Sequence, residues 1–541
     1  MATSPSDLPR VFAQRRDEAE GSPLFRRLLI ANRGEIAVRI IRACRDVGIQ
    51  TVAVYSDADA DAAHVRMADA AVRLGPPPPA ESYLRIDGVI DAALATGAEA
   101  IHPGYGFLAE RAAFARAVED AGIVFVGPSS ATIEALGDKL NARRLAARVD
   151  VPSVPGTLEP APLDGPDQVE AIIETARGIG FPLLVKAAAG GGGRGMRRVA
   201  READLPAALA AGSGEALSAF GDGSVYLERE VLPARHVEVQ LLADAHGHVV
   251  ALGERDCSLQ RRHQKLVEEA PAPGLGEAQR RELHAMAVRL GEAAGLRNAA
   301  TCEFLLDTEG RFWFLEVNTR LQVEHGVTEL VSGVDIVREQ LRIAAGLPLG
   351  DDVLAAAAIA ATPARHAIEV RIAAEDPARA FAPTPGRVRR WVMPSGPGVR
   401  VETHIEAGDR VPPEYDNLIA KLLVDATDRD AAVDRLARAL DETEVGGLQT
   451  TLPFHRHVAR SESFRAGRLS TGWVGEHWDG EAARADALRQ ALLAAGLAAV
   501  GEGRVRPGPA TGASRPAPSP DGRGQGWRSA ARAAAVDRWP A

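Results

Sequence analysis

The chain has 541 residues, 46% of them hydrophobic, a mean hydropathy of −0.09 and a formal net charge of −10. That length exceeds one core and implies roughly three or four domains, and the acidic balance argues against nucleic acid or an anionic membrane as partner. Cys44, Cys257 and Cys302 are dispersed and form no CxxC pair, which points to a reducing, cytoplasmic setting without a zinc site. In chain order, residues 1–24 read as a disordered extension with no apolar signal core. "LLIANRGEIAVRIIRACRDVGIQTVAVYS" predicts a strand, a turn at Gly34, an amphipathic helix and a second strand, so a Rossmann-like parallel sheet is expected over 25–138. "IHPGYGFLAE" (101–110) lies at a strand end, where ligands of open α/β sheets collect. A strand-rich body is expected over 139–361, with 156–230 as a mobile lid. A β-rich segment with Gly and Pro turns follows over 362–478, then a helix and Pro/Gly/Ser linker over 479–526. The fold class read from this order is α/β, or α+β overall.

Only four of the 63 basic residues are lysines: Lys139, Lys186, Lys265 and Lys421. In a chain that uses arginine almost everywhere, a retained lysine marks a position where a compact ammonium serves better than a planar fork. Three of them stand in segments suited to phosphate, "LGDKLNARR", "FPLLVKAAAGGGGRGM" and "CSLQRRHQKLVEEAPAP". The second reads as a strand ending in Lys186 and opening into a glycine loop, whose N–H groups can converge on an anion. A bare glycine run is more often a linker; Lys186 on the preceding strand decides otherwise. Neither a Walker loop nor a dinucleotide fingerprint is present.

"CEFLLDTEGRFWFLEVN" predicts a hairpin with a two-residue turn at Glu309-Gly310, a register that sets Glu303 opposite Glu316. Two facing carboxylates about 5 Å apart repel, and a divalent cation between them reverses the sign. The alternation Glu316, Asn318, Arg320, Gln322, Glu324 shares its parity with Phe312 and Phe314, so the polar row is expected to run from a buried floor into a cleft rather than along a solvated face. Carboxylate and amide oxygens without sulfur suit Mg2+ or Mn2+.

From Phe25 to Trp478 the chain resembles the biotin carboxylases of the ATP-grasp superfamily: "ANRGEIAVRI", "HPGYGFLAE", "GDK", "KAAAGGGGRGM", "RHVEVQ", "ERDCSLQRRHQKLVEEAPAP", "LEVNTRLQVEH" and "YDNLIAKL" occur in order. It departs at Gly326, where the family usually has proline, and at Val317, in place of a common methionine. The resemblance implies that Lys139 and Lys186 contact ATP phosphates under Gly192 and Gly193. It gives the adenine edge to Glu228, Arg229, Glu230 and Val231, and the ribose to His236. His263, Lys265 and, more weakly, Gln260 would face phosphate and bicarbonate; Glu303, Glu316 and Asn318 would hold the metals. Arg320, Gln322 and the Val323 backbone would bind bicarbonate, Glu324 would be its base, and Arg400 in "GPGVRVETH" would stabilise the biotin enolate.

By the same resemblance, bicarbonate attacks the γ-phosphate, the resulting carboxyphosphate is kept from water by the lid, and carboxybiotin is the product. None of the four lysines has a neighbouring methionine of the biotin-carrier kind, and little chain follows 478. A separate biotin carrier and a separate carboxyltransferase of an acetyl-CoA or propionyl-CoA type are therefore expected, with the chain itself a homodimer or higher oligomer. Another ATP-grasp ligase and a non-catalytic assembly subunit are the alternatives; the Arg320, Gln322, Glu324 row with Arg400, which resembles the biotin family, disfavours the first and the intact metal and base residues the second. Trp527, Ala531, Ala535 and Trp539 recur at steps of four, which predicts a docking helix for a partner subunit over 527–541.

Overall fold

The computed structural model describes residues 24–161, 166–188 and 196–503. The expectations for the N-terminal extension, for Gly192 and Gly193, and for the helix at 527–541 lie outside the described residues.

Strand β1 (Arg27–Ile30) leads through Gly34, at φ +69°, into helix α1 (Gly34–Asp46). Ile36, Ala37, Ile40, Ile41 and Cys44 form the buried stripe that seats α1 on the sheet. Strands β2 (Gln50–Ser56), β3 (Ala70–Gly75), β4 (Ala100–His102) and β5 (Val124–Phe125) complete a five-stranded parallel sheet of order β3-β2-β1-β4-β5. The loop after β4 leaves the carboxyl end beside β1, the point where the strand order reverses and ligand crevices form.

A small three-stranded antiparallel sheet follows: β6 (Leu183–Ala187) between β7 (Arg197–Val199) and β8 (Val225–Arg229). Alternate residues Leu183 and Val185 pack with Leu205 and Leu209 of the helix Leu205–Phe220, which turns Lys186 to the other face.

The body is an eight-stranded antiparallel sheet. Its strands are β9 (Arg235–Ala243), β10 (Val249–Arg261), β11 (Gln264–Ala270), β12 (Asn298–Leu306), β13 (Phe312–Asn318), β14 (His366–Ala373), Val399–Thr403 and Leu418–Ala426. Their order is β13-β12-β9-β10-β11-β14, then Leu418–Ala426 and Val399–Thr403. The β-rich segment after 362 builds three small two-stranded sheets of its own, but its long strands join the body: β14 pairs with β11, Val267 opposite Val370, and extends the sheet begun by β9. Helix Glu277–Ala293 covers one end of one face through Leu283, Met286 and Leu290, packed on Val237, Val239 and Phe304. The short helix His325–Ser332 lies over β10, β11, β14 and Leu418–Ala426. No helix among the described residues is long and apolar enough to cross a membrane.

Candidate active site

The site is a row of charges laid across the wide sheet. Register places Glu316 of β13, Glu303 of β12, Glu238 of β9 and Arg255 of β10 side by side on adjacent strands. Lys265, reaching in from β11, closes the row: its Nζ lies 2.5 Å from Glu238, 3.1 Å from Glu303 and 2.6 Å from Glu324. Arg255 is wholly buried and donates to Glu238 (2.6 Å), Gln240 and Thr328 (both 2.9 Å). Burial alone would raise the Glu303 carboxyl, but the charges of Lys265 and His236 outweigh it and hold the group well below the usual carboxylate range. Burial would lower Lys265, and three carboxylates raise it instead, so the ammonium is permanent.

The hairpin departs from expectation in its turn, in the parity of its aromatic residues and in where its alternation ends. Its turn is longer than two residues, since Asp307 N–H donates to the Arg311 carbonyl (3.1 Å) around Thr308, Glu309 and Gly310. A bulge at Leu315 then absorbs the added residue, so Glu303 does face Glu316. The bulge also flips parity: Phe314 stays in the apolar core with Phe304 while Glu316 turns to the opposite face. Regular alternation stops at Asn318, and Arg320 to Glu324 form the loop entering helix His325–Ser332. The facing carboxylates also meet protein partners: Lys139 binds Glu316 (2.5 Å), and Lys265 and the His236 ring (Nε2 at 3.1 Å) lie on Glu303.

Asn318 donates to Glu303 (2.8 Å), as does Gln322 (3.3 Å). Arg320 holds Gln322 (2.9 Å) and reaches Glu110 (2.8 Å), which ties the loop after β4 to this wall. The Val323 carbonyl accepts from buried Lys421 (2.8 Å). On the small sheet, Glu228 accepts from Lys186 and from Arg143 (2.9 Å) of the helix Lys139–Arg148. Glu230 pairs with Arg198 (2.7 Å), Arg229 stands over the Trp313 ring, and Val231 follows the end of β8. Gln260 is cross-strand partner of Lys265, and His263 is exposed at the tip of the β10–β11 hairpin.

Arg400 does not join this cluster. It sits on Val399–Thr403, two strands beyond β14, bound to Glu329 (2.8 Å) and Glu402 (2.6 Å). The guanidinium that does reach Glu324 is Arg371 of β14, at 2.9 Å, held on its other side by Glu268 at 2.6 Å. Burial would raise Glu324, and Lys265, Arg371 and Arg255 together keep it well below the ordinary range. Arg371, Glu238, Arg255 and Glu110 were missed in the sequence. For Glu238 the alternation in "RHVEVQ" was the available signal, and for Arg371 the same pattern in "AIEVRIA".

A strand-borne lysine on a small sheet, facing carboxylates on a larger one, and lysines that converge from both define an ATP-dependent ligase of the grasp type. Family models match residues 24–133 (biotin carboxylase, N-terminal domain), 138–352 (carbamoyl-phosphate synthase L chain, ATP binding domain) and 369–476 (biotin carboxylase C-terminal domain). The biotin carboxylase of Pseudomonas aeruginosa is 48% identical over 454 residues, 83% of this chain and 98% of that one. The Campylobacter jejuni biotin carboxylase in complex with β-γ-ATP aligns with a TM-score of 0.80 at 42% identity, over 84% of this chain and 99% of that one. The biotin carboxylase domain dimer of Hydrogenobacter thermophilus 2-oxoglutarate carboxylase, with MgADP, ADP and bicarbonate, aligns at 0.79 and 44%, over 84% and 98%. The chain belongs to the biotin carboxylase family and carries out ATP- and bicarbonate-dependent carboxylation of biotin.

Proposed function

We propose the following division of labour. Lys139 and Lys186 take the nucleotide phosphates with Gly192 and Gly193; Glu228, Arg229, Glu230 and Val231 border the base, and His236 the ribose. Glu303, Glu316 and Asn318 hold Mg2+ or Mn2+; hard oxygens already converging in register fit such an ion. The metal supplies charge neutralisation on phosphate oxygens when bound. Lys265, Arg320, Gln322 and the Val323 backbone receive bicarbonate, with Gln260 and His263 at the rim. Arg371, in place of Arg400, faces the biotin enolate.

The observation that carries this reading is Lys265 bridging Glu238, Glu303 and Glu324 with Arg371 on the same Glu324. A carboxylate so clamped is a poor base. Anionic substrates that draw Lys265 and Arg371 toward themselves free Glu324, raise its proton affinity, and so switch the base on when bicarbonate is present. ADP release should then require bicarbonate and accelerate with free biotin; hydrolysis indifferent to bicarbonate would refute the assignment.

Residues 25–138, 139–361 (lid about 156–230) and 362–478 are the functional divisions of this scheme. A carrier protein and a carboxyltransferase act in trans, since no lysine here lies beside methionine; a homodimer and an acetyl-CoA or propionyl-CoA type acceptor follow the family likeness. Three buried free cysteines suit a cytoplasmic location.

A further inference from the structure

Beneath Glu324 the sheet buries a second pair of carboxylates that the scheme above leaves idle. Glu268 of β11 and Glu369 of β14 are direct cross-strand partners, both fully shielded from solvent. One oxygen of Glu268 accepts from Arg371. Its other oxygen and both oxygens of Glu369 meet no hydrogen-bond donor among the described residues.

The charged and titratable groups around them come from every side: Arg371 on β14, Lys265 on β11, Arg255 and Cys257 on β10, Lys421 on Leu418–Ala426, Glu402 on Val399–Thr403, Glu324 and His325 at the covering helix, and Glu35 on α1. Arg371 is shared with Glu324, and Lys421 is drawn to the Val323 carbonyl (2.8 Å) and toward Glu35 (3.4 Å). Two carboxylates about 5 Å apart across a dry sheet do not both ionise with so little cation left to them.

The geometry points to one proton shared by Glu268 and Glu369, and to Glu268 as the positioning residue of Arg371. With the proton on Glu369, ionised Glu268 anchors Nε and Nη2 of the guanidinium, the Nη2 that also meets Glu324, and holds the group at the biotin side. Burial, the largest influence on each, pushes Glu268 up to about 7 and Glu369 well above the usual carboxylate range. When the proton leaves, the added negative charge draws Arg371 down into the sheet and away from the substrate. The inference rests on the assignment of Arg371 to the biotin side.

The test uses the full chain. A difference infrared spectrum, wild type minus Glu369→Gln at neutral pH, should show a protonated-carboxyl band; without that band there is no shared proton. Glu369→Gln, which cannot lose its proton equivalent, should move the alkaline limb of biotin-dependent kcat up by about one pH unit or more with KM for ATP unmoved. Glu268→Gln should lower biotin-dependent kcat about tenfold or more, against less than about threefold for bicarbonate-dependent ATP hydrolysis without biotin. An unmoved limb, or equal losses in both activities, overturns the positioning role. Wild-type biotin carboxylation in Arg371→Lys would instead refute the underlying assignment, while the infrared band reports on the proton regardless.

Discussion

Glu303 stands opposite Glu316 across β12 and β13, and each carboxylate has its own cation, Lys265 with His236 on the first and Lys139 on the second. With the proposed metal set, a divalent ion between them would have to displace these lysines, so metal and nucleotide are expected to load together.

Glu316→Gln is expected to abolish turnover while folding normally. Because Lys139 and Glu316 are both partly exposed, the change in stability should stay within about 1 kcal/mol. Near-normal ATP hydrolysis at saturating Mg2+ would remove Glu316 from the metal set.

Lys265→Arg should be far from conservative. The ammonium touches three carboxylates from one point, a geometry that a planar fork cannot reproduce. At least about a tenfold loss in rate is expected, about 1.4 kcal/mol of barrier. Lys265→Met leaves buried charges unpaired and should cost roughly 3–5 kcal/mol in denaturant unfolding.

Arg371→Lys and Arg400→Lys separate the two candidate guanidiniums. Biotin-dependent turnover should fall at least about tenfold, or 1.4 kcal/mol, in the first, and clearly less in the second. The reverse ranking would return the role to Arg400.

At Gly326 a Cβ would stand 2.4 Å from Leu423 Cδ2. Leu423 thus occupies the space next to the helix start that the family's usual proline ring would need. Gly326→Ala should cost about 1–3 kcal/mol by overpacking, and adding Leu423→Ala should recover part of it; additive losses in thermal unfolding would show that the two sites do not touch.

Asp244 tests pH dependence far from the chemistry. Burial would raise its carboxyl, but backbone N–H groups of Leu349 and His248, the His248 ring and the His246 N–H hold it at about 2. A depressed pKa contributes stability that is present above the unfolded value of about 3.9 and is lost as pH falls toward 2. Asp244→Asn should therefore be destabilised on the order of 2 kcal/mol at pH 7, with the gap to wild type closing below about pH 3; a gap constant from pH 7 to 2 would contradict this.

The parallel sheet was legible because α1 carries an apolar stripe and β1 and β2 hold the apolar runs 28–30 and 52–55. The facing glutamates were legible only because two local deviations compensate: the turn is one residue longer than its Glu-Gly pair suggests, and the bulge at Leu315 restores the count. Parity arguments fail across a bulge, which is why Glu316 read as continuing the face of Phe312 and Phe314, and past a strand end, which is why Arg320 to Glu324 read as part of that face. The Glu238 and Arg371 contacts join segments far apart in sequence, Lys265 to Glu238 and Arg371 to Glu324, and sheet order is not written in the periodicity of any one strand. Arg400 carried no local signal that distinguished it from the other arginines.

The pairing of β11 with β14 has a practical consequence. Cutting the chain near residue 361 would strip β11 of its neighbour, expose a row of unpaired N–H and C=O groups along the middle of a sheet, and leave both fragments with adhesive edges. The nucleotide-binding part is therefore not expected to fold as a free-standing module; it should melt, and exchange its deepest amide hydrogens, in one cooperative event with the strands that carry Arg371 and Lys421.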